Sequence, residues 1–219
     1  MKIKLILVFL VIITSNFTTM AQYNNAAAEQ QCWKLASQAY TFNRFTFIEA
    51  IDKIKAAGIN YIEMFPGQNI GGGIEGKTTF SMDNKTREKL LEVIKLKGMK
   101  LINFGVINAK TQEEWVKIFD FAKDMGISTI ICEADSTQLN FIEPMCEKYQ
   151  INIALHNHPK PSIYWNPDFT MAQIAKRNKY IGVCTDLGHW LRSGLNPLES
   201  LKKIRRPNSH YSCQRSGAR

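Results

Sequence analysis

Two stretches of the chain end an apolar run on groups that can hold a metal or move a proton. The first is Ile151-Asn152-Ile153-Ala154-Leu155-His156-Asn157-His158-Pro159. Residues two apart point the same way in an extended chain, so His156 and His158 face one site while the strand lasts. Neutral imidazole is a good ligand for divalent first-row metals. His156 is read as a metal ligand and His158 as a substrate contact; the competing role for each is to cap the strand end by hydrogen bonding. The second stretch is Ile181-Gly182-Val183-Cys184-Thr185-Asp186-Leu187-Gly188-His189-Trp190. Asp186 closes the apolar run, Gly188 allows a tight turn, and His189 follows three residues after the acid. Together they can reach one ion or one bound hydroxyl. Asp186 is read as a metal ligand and His189 as an acid–base group; otherwise Asp186 caps the next helix and His189 lies on the surface.

Other polar residues near strand ends are weaker candidates. Glu63, in Tyr61-Ile62-Glu63-Met64-Phe65, is a candidate proton acceptor, and Asn103 a candidate substrate contact. Glu133 occupies a comparable place on the fourth apolar run. Trp190 and Trp165 can stack on the apolar face of a sugar ring, although a tryptophan at such spacing also serves as packing.

The elements that must position these groups repeat. Apolar runs at Trp33–Tyr40, Ile59–Phe65, Met99–Ile107, Ile127–Glu133, Ile151–His156 and Tyr180–Asp186 predict six strands. Amphipathic segments lie between them, as in Trp115, Ile118, Phe119, Ala122 and Met125. Gly58, Gly98 and Gly126 stand where a helix should stop. Thr111 with Glu114 predicts a capping box, and Asn166-Pro167 and Asn196-Pro197 each place a cap before a proline. The glycine-rich Gly71-Gly72-Gly73-Ile74-Glu75-Gly76 spells a dinucleotide fingerprint but is followed by polar loop and no helix, so it is expected to be a flexible loop over the strand ends. Strands alternating with helices imply parallel pairing with right-handed crossovers, in an open doubly wound sheet or a barrel.

The stretches Ile153-Ala154-Leu155-His156-Asn157-His158-Pro159 and Val183-Cys184-Thr185-Asp186-Leu187-Gly188-His189-Trp190 resemble the fifth- and sixth-strand motifs of the xylose-isomerase-like superfamily. That superfamily includes sugar isomerases, ketose 3-epimerases, inosose dehydratases and endonuclease-IV-type enzymes. The resemblance spans about Lys34 to Ile204. It implies an α/β fold of the (β/α)₈ TIM-barrel type with sites at the carboxyl ends of the strands. It also implies an aspartate ligand at Asp186 and a substrate or metal contact at His189. The fifth-strand motif of the superfamily commonly carries a metal-binding glutamate, and here His156 stands in that place. A histidine from strand seven and a glutamate from strand eight, also implied, have no counterpart. The barrel is therefore expected to be incomplete, with about six βα units over residues 22–204 and an aberrant basic tail over 205–219.

Residues 1–21 have the layout of a secretory signal peptide: Lys2 and Lys4, nine apolar residues from Leu5 to Ile13, then Thr19-Met20-Ala21 before a cut at Gln22. Export, to the periplasm or outside the cell, is expected, without stable membrane insertion after cleavage. The net charge of +9 does not mark a nucleic-acid binder. Lys2 and Lys4 supply two of those charges and Arg205, Arg206, Arg215 and Arg219 four, leaving three for the rest of the chain. Cys32, Cys132, Cys146, Cys184 and Cys213 form no CxxC pair, and buried free thiols are expected, with a disulfide at Cys32 or Cys146 left open.

The function implied by the resemblance is a carbohydrate isomerase or epimerase. A divalent ion (manganese, magnesium, zinc or cobalt) would assist proton transfer next to a carbonyl. A keto-sugar lyase of the same superfamily and a non-catalytic remnant are the alternatives. The expected partners are a small carbohydrate and, through unpaired sheet edges, a second copy of the chain.

Overall fold

The computed structural model describes residues 26–204 and the backbone of residues 211–214. The segment expected to be a signal peptide, residues 1–21, and most of the expected basic tail lie outside the described residues. Seven parallel strands form one sheet: β1 (Ala36–Gln38), β2 (Tyr61–Met64), β3 (Lys100–Ile107), β4 (Thr129–Cys132), β5 (Asn152–His156), β6 (Ile181–Asp186) and β7 (Tyr211–Gln214). Each strand neighbours the next in sequence, with no reversal of order. A doubly wound sheet has a switch point, whereas sequential order is that of a barrel. The first six strands form an open half-barrel of the expected kind.

β7 corrects one expectation. The sequence after Ile204 has no apolar alternation, yet Tyr211–Gln214 pairs with Val183–Asp186 of β6. An edge strand offers unpaired N–H and C=O groups, and any extended segment can satisfy them whatever its side chains.

The crossovers are α1 (Phe47–Ala56), α2 (Asn84–Leu96), α3 (Gln112–Asp124), α4 (Ser136–Tyr149) and α5 (Pro167–Ile174), with α6 (Leu187–Arg192) and α7 (Pro197–Lys203) after β6. Each longer helix buries one stripe. Trp115, Ile118, Phe119 and Ala122 of α3, and Leu139, Ile142 and Cys146 of α4, recur at three- and four-residue spacing and are fully buried. They pack on Phe104, Ile130, Ile153 and Val183, the helix-facing residues of the strands. Each such side chain contributes about 1.5–3 kcal/mol of burial.

The helix ends follow local chemistry. Gly58, Gly98 and Gly126 have φ of 78°, 67° and 66°, the left-handed backbone that stops a helix cheaply. Asn166 and Asn196 cap α5 and α7 from the residue before proline. The Thr111 hydroxyl accepts from Glu114 N–H, but the Glu114 carboxylate reaches one residue further back, to Lys110 N–H, so the capping box is only half formed. Complete boxes occur instead at Thr46/Glu49 and Asp135/Gln138.

The glycine-rich segment is not a loose loop. Asn69–Gly71 and Ile74–Lys77 form a small antiparallel hairpin. It lies so close to the start of α1 that a Cβ on Gly71 would come within 2.5 Å of Thr46. The cysteines Cys132, Cys146 and Cys184 are buried free thiols, and Cys32 is an exposed one. No described helix is long and apolar enough to cross a membrane.

Candidate functional site

Strand alternation sets the site. Ile131, Ala154 and Cys184, on β4, β5 and β6, form a small apolar cluster on the concave face, separate from the helix-facing core. Two residues further along the chain come Glu133, just past the end of β4, and His156 and Asp186, the last residues of β5 and β6. Three adjacent parallel strands thus carry a carboxylate, an imidazole and a carboxylate just beyond a short hydrocarbon floor.

His156 is at the centre. It is 2% exposed, and its Nδ1 is buried without a hydrogen-bond partner. The Glu133 Oε1 lies 3.8 Å from that nitrogen, too far for a hydrogen bond. The His158 and His189 rings have centroids 4.5 and 5.5 Å from the His156 ring. His158 is the more open, with 44% of its side chain exposed.

Glu133 acts as a hub. Its Oε1 takes a short hydrogen bond from His158 Nδ1 and one of 3.3 Å from the His158 backbone N–H. Its Oε2 takes one of 3.1 Å from Ser162 Oγ, and its own N–H donates to Asn108 Oδ1 at 2.8 Å. Burial pushes the carboxyl pKa up, but the imidazoles of His156 and His158 and the Ser162 hydroxyl outweigh it and hold the group down at about 2. The hydrogen bond to Glu133 in turn raises His158 above the usual histidine value.

Asp186, 3% exposed, has two duties. Its Oδ1 accepts from His189 N–H at 2.9 Å and so caps α6, while its Oδ2 lies 3.5 Å from His189 Nε2. The Asn157 side chain clasps the Asp186 backbone from β5, accepting from its N–H at 2.6 Å and donating to its carbonyl at 3.0 Å. This pair ties the end of β6 to the residue just past β5. Burial is the main influence on His189 and lowers it to about 4, with the Arg192 cation acting the same way. Arg192 donates to His189 Nδ1 in a short contact. Since arginine cannot accept, the neutral ring carries its hydrogen on Nε2, facing Asp186.

The expected residues therefore divide. His156, His158, Asp186 and His189 come together. Glu63 and Asn103 lie on the concave face of β2 and β3, joined to each other and to Gln38 of β1: Gln38 Nε2 and Asn103 Nδ2 donate to the two Glu63 oxygens at 2.6 and 3.2 Å. Trp190 needs correction as a sugar-stacking residue. It is 1% exposed and packs within the helix-facing core, so apolar burial has claimed the ring and no face remains open. Glu133, Ser162, Asn157 and Arg192 complete the cluster without having been assigned these roles from sequence. Of these, only Glu133 carries a signal in the sequence, being a polar residue that ends an apolar run.

Two ligand groups emerge, Glu133/His156/His158 and His156/Asp186/His189, each with donor atoms within 4.8 Å of one another. His156 belongs to both.

No family model matches the sequence, and no curated protein matches it. Among solved structures, the chain is similar to an uncharacterized protein from Parabacteroides distasonis, with 34% identity over 78% of this chain and 70% of that one, and a TM-score of 0.69. It also shares its fold with the probable 3-DHS dehydratase AsbF of Bacillus anthracis, at 16% identity over 81% and 72% of the two chains and a TM-score of 0.59. The 3-keto-D-glucoside 4-epimerase YcjR of E. coli is similar at 13% identity, 84% and 78% coverage, and a TM-score of 0.59. The chain belongs to one family with the Parabacteroides distasonis protein, and it shares the fold of a partial TIM barrel with the dehydratase and the epimerase.

Proposed function

We propose that the protein is a carbohydrate isomerase or epimerase that transfers a proton at a carbon next to a carbonyl, with the help of a divalent metal ion. The observation that carries this reading is the meeting of Glu133, His156, His158, Asp186 and His189 at the carboxyl ends of adjacent parallel strands, where barrels of this type build their sites. The same fold supports an epimerase whose name places inversion at carbon 4, beside a keto group at carbon 3. Export would expose the protein to free, oxidised or glycosidic sugars.

The donor set fits a cation, because the buried Nδ1 of His156 lacks a partner and carboxylates stand on both sides of it. His156 would hold the ion, with Glu133 and His158 or with Asp186 and His189. When bound, such an ion supplies positive charge against the negative charge that grows on a carbonyl oxygen as a neighbouring proton leaves. The remaining work falls to side chains. His189, kept neutral by burial and oriented by Arg192, presents Nε2–H beside the Asp186 carboxylate, an acid–base pair on one rim. His158 is open enough to meet a substrate hydroxyl. Glu63 has both oxygens engaged by amides, which weakens it as a proton acceptor and leaves it to fix the concave face.

The test is proton exchange. The protein with added manganese or cobalt is incubated in D₂O with 3-keto-glucosides and with aldose–ketose pairs, and proton NMR follows deuterium entry next to the carbonyl. Exchange that falls about 10²–10⁴-fold in His189→Gln supports the proposal. A panel showing neither exchange nor interconversion rejects it.

A further inference from the structure

We infer that the cation sits on the β4–β5 side of the rim, held by Glu133, His156 and His158, and that it is a nitrogen-accepting first-row ion such as zinc or cobalt, not magnesium. This rests on the metal-assisted reading above and chooses between its two ligand groups.

Four observations favour that side. The first is the His156 Nδ1, buried, without a hydrogen-bond partner and 3.8 Å from Glu133 Oε1. A buried polar atom without a partner is costly, and an ion seated between nitrogen and oxygen would remove the cost. The second is the short contact between Glu133 Oε1 and His158 Nδ1. An imidazole nitrogen and a carboxylate oxygen brought this close, beside a third donor atom on His156, form one compact set of ligand atoms. The third is support behind the ligand: Ser162 holds Glu133 Oε2, and Asn108 holds the Glu133 backbone N–H. Outer partners of this kind aim a ligand and tune its basicity.

The fourth concerns the opposite group. Asp186 Oδ1 is committed to capping α6, and His189 Nδ1 accepts from Arg192. For His189 to ligate through Nε2 it would have to give up the hydrogen it carries there, beside a guanidinium cation that repels a second positive charge. Glu133 sets a carboxylate oxygen from the neighbouring strand end 3.8 Å from His156 Nδ1. Two imidazoles with one carboxylate suit zinc or cobalt, whereas magnesium favours an octahedral shell of oxygen.

The test uses the full chain, stripped of metal, titrated with ZnCl₂, CoCl₂ and MgCl₂ by calorimetry, with the visible absorption of cobalt as a second readout. Glu133→Gln and Asp186→Asn are titrated in parallel after thermal melts. Zinc binding weakened about 100-fold or more in Glu133→Gln, and within about threefold of wild type in Asp186→Asn, supports the assignment. The reverse ranking overturns it and leaves metal-assisted function standing. No binding by the wild-type chain overturns both, and magnesium binding tighter than zinc overturns the choice of ion. If Glu133→Gln does not melt cooperatively, Ser162→Ala keeps every ligand while freeing Oε2. It is expected to weaken zinc about tenfold, and unchanged affinity counts against the assignment.

Discussion

The concave face carries polar groups at two places, built on opposite terms. Over β1–β3, Gln38, Glu63 and Asn103 close on one another. Both carboxylate oxygens accept an amide, and Gln38 also donates to the Gly105 carbonyl at 3.2 Å, reaching from β1 across β2 to β3. At the ends of β4–β6, three imidazoles and two carboxylates come together, and the most deeply buried of the imidazoles keeps a nitrogen without a partner. A satisfied buried network rigidifies a fold, while an unsatisfied one is a cost that folding alone does not explain. The first region is framework. The second has the donor atoms that the proposed ion would use.

Substitutions can break or sharpen that contrast. The largest effect is expected at Glu63→Leu, which takes the carboxylate acceptor from two half-buried amides, Gln38 keeping only the Gly105 carbonyl. Urea denaturation should show a loss of about 2–4 kcal/mol, and a loss under 1 kcal/mol would remove the framework role. Asn157→Ala breaks both bonds to the Asp186 backbone and should cost about 1–3 kcal/mol by the same measurement, with Glu133 and its partners undisturbed. At Asp186 the two variants should part: Asp186→Ala loses about 1 kcal/mol with the helix cap, while Asp186→Asn, still a good cap, stays near wild type. The smallest change is expected at His156→Leu in metal-free protein. Replacing a buried nitrogen that has no partner by hydrocarbon should leave the melt unchanged or raise stability by up to about 1 kcal/mol. A large loss there would mean that His156 belongs to the framework after all.

Much of this fold was legible in the chain. All six apolar runs contain a strand, and the last three, at 127–133, 151–156 and 180–186, end on a polar group. Glycine stops and asparagine–proline starts are local signals, and they held where the backbone alone decides. The hairpin at 69–77 was not legible, since its glycines answer to the approach of α1, a contact between distant segments. β7 escaped because edge pairing needs no side-chain pattern. In the site, His156 and Asp186 stood out by the abruptness with which hydrocarbon gives way to ligand-type groups. Glu133 was visible only as a polar strand end. Its significance lies in register, Ile131 opposite Ala154, which sets it beside His156, and no spacing along the chain displays that. Trp190 follows His189 directly, but whether it faces sugar or core depends on how α6 docks, and there the core prevailed.

The central claim is that the open bonding capacity at the rim of β4–β6 belongs to a metal ion. Crystals of the protein soaked in a zinc salt, with diffraction recorded on both sides of the zinc absorption edge, would test it most directly. One anomalous peak is predicted about 2.0–2.2 Å from Glu133, His156 and His158. Full occupancy elsewhere on the surface with none at His156, or a peak coordinated by Asp186 and His189 alone, would contradict the account.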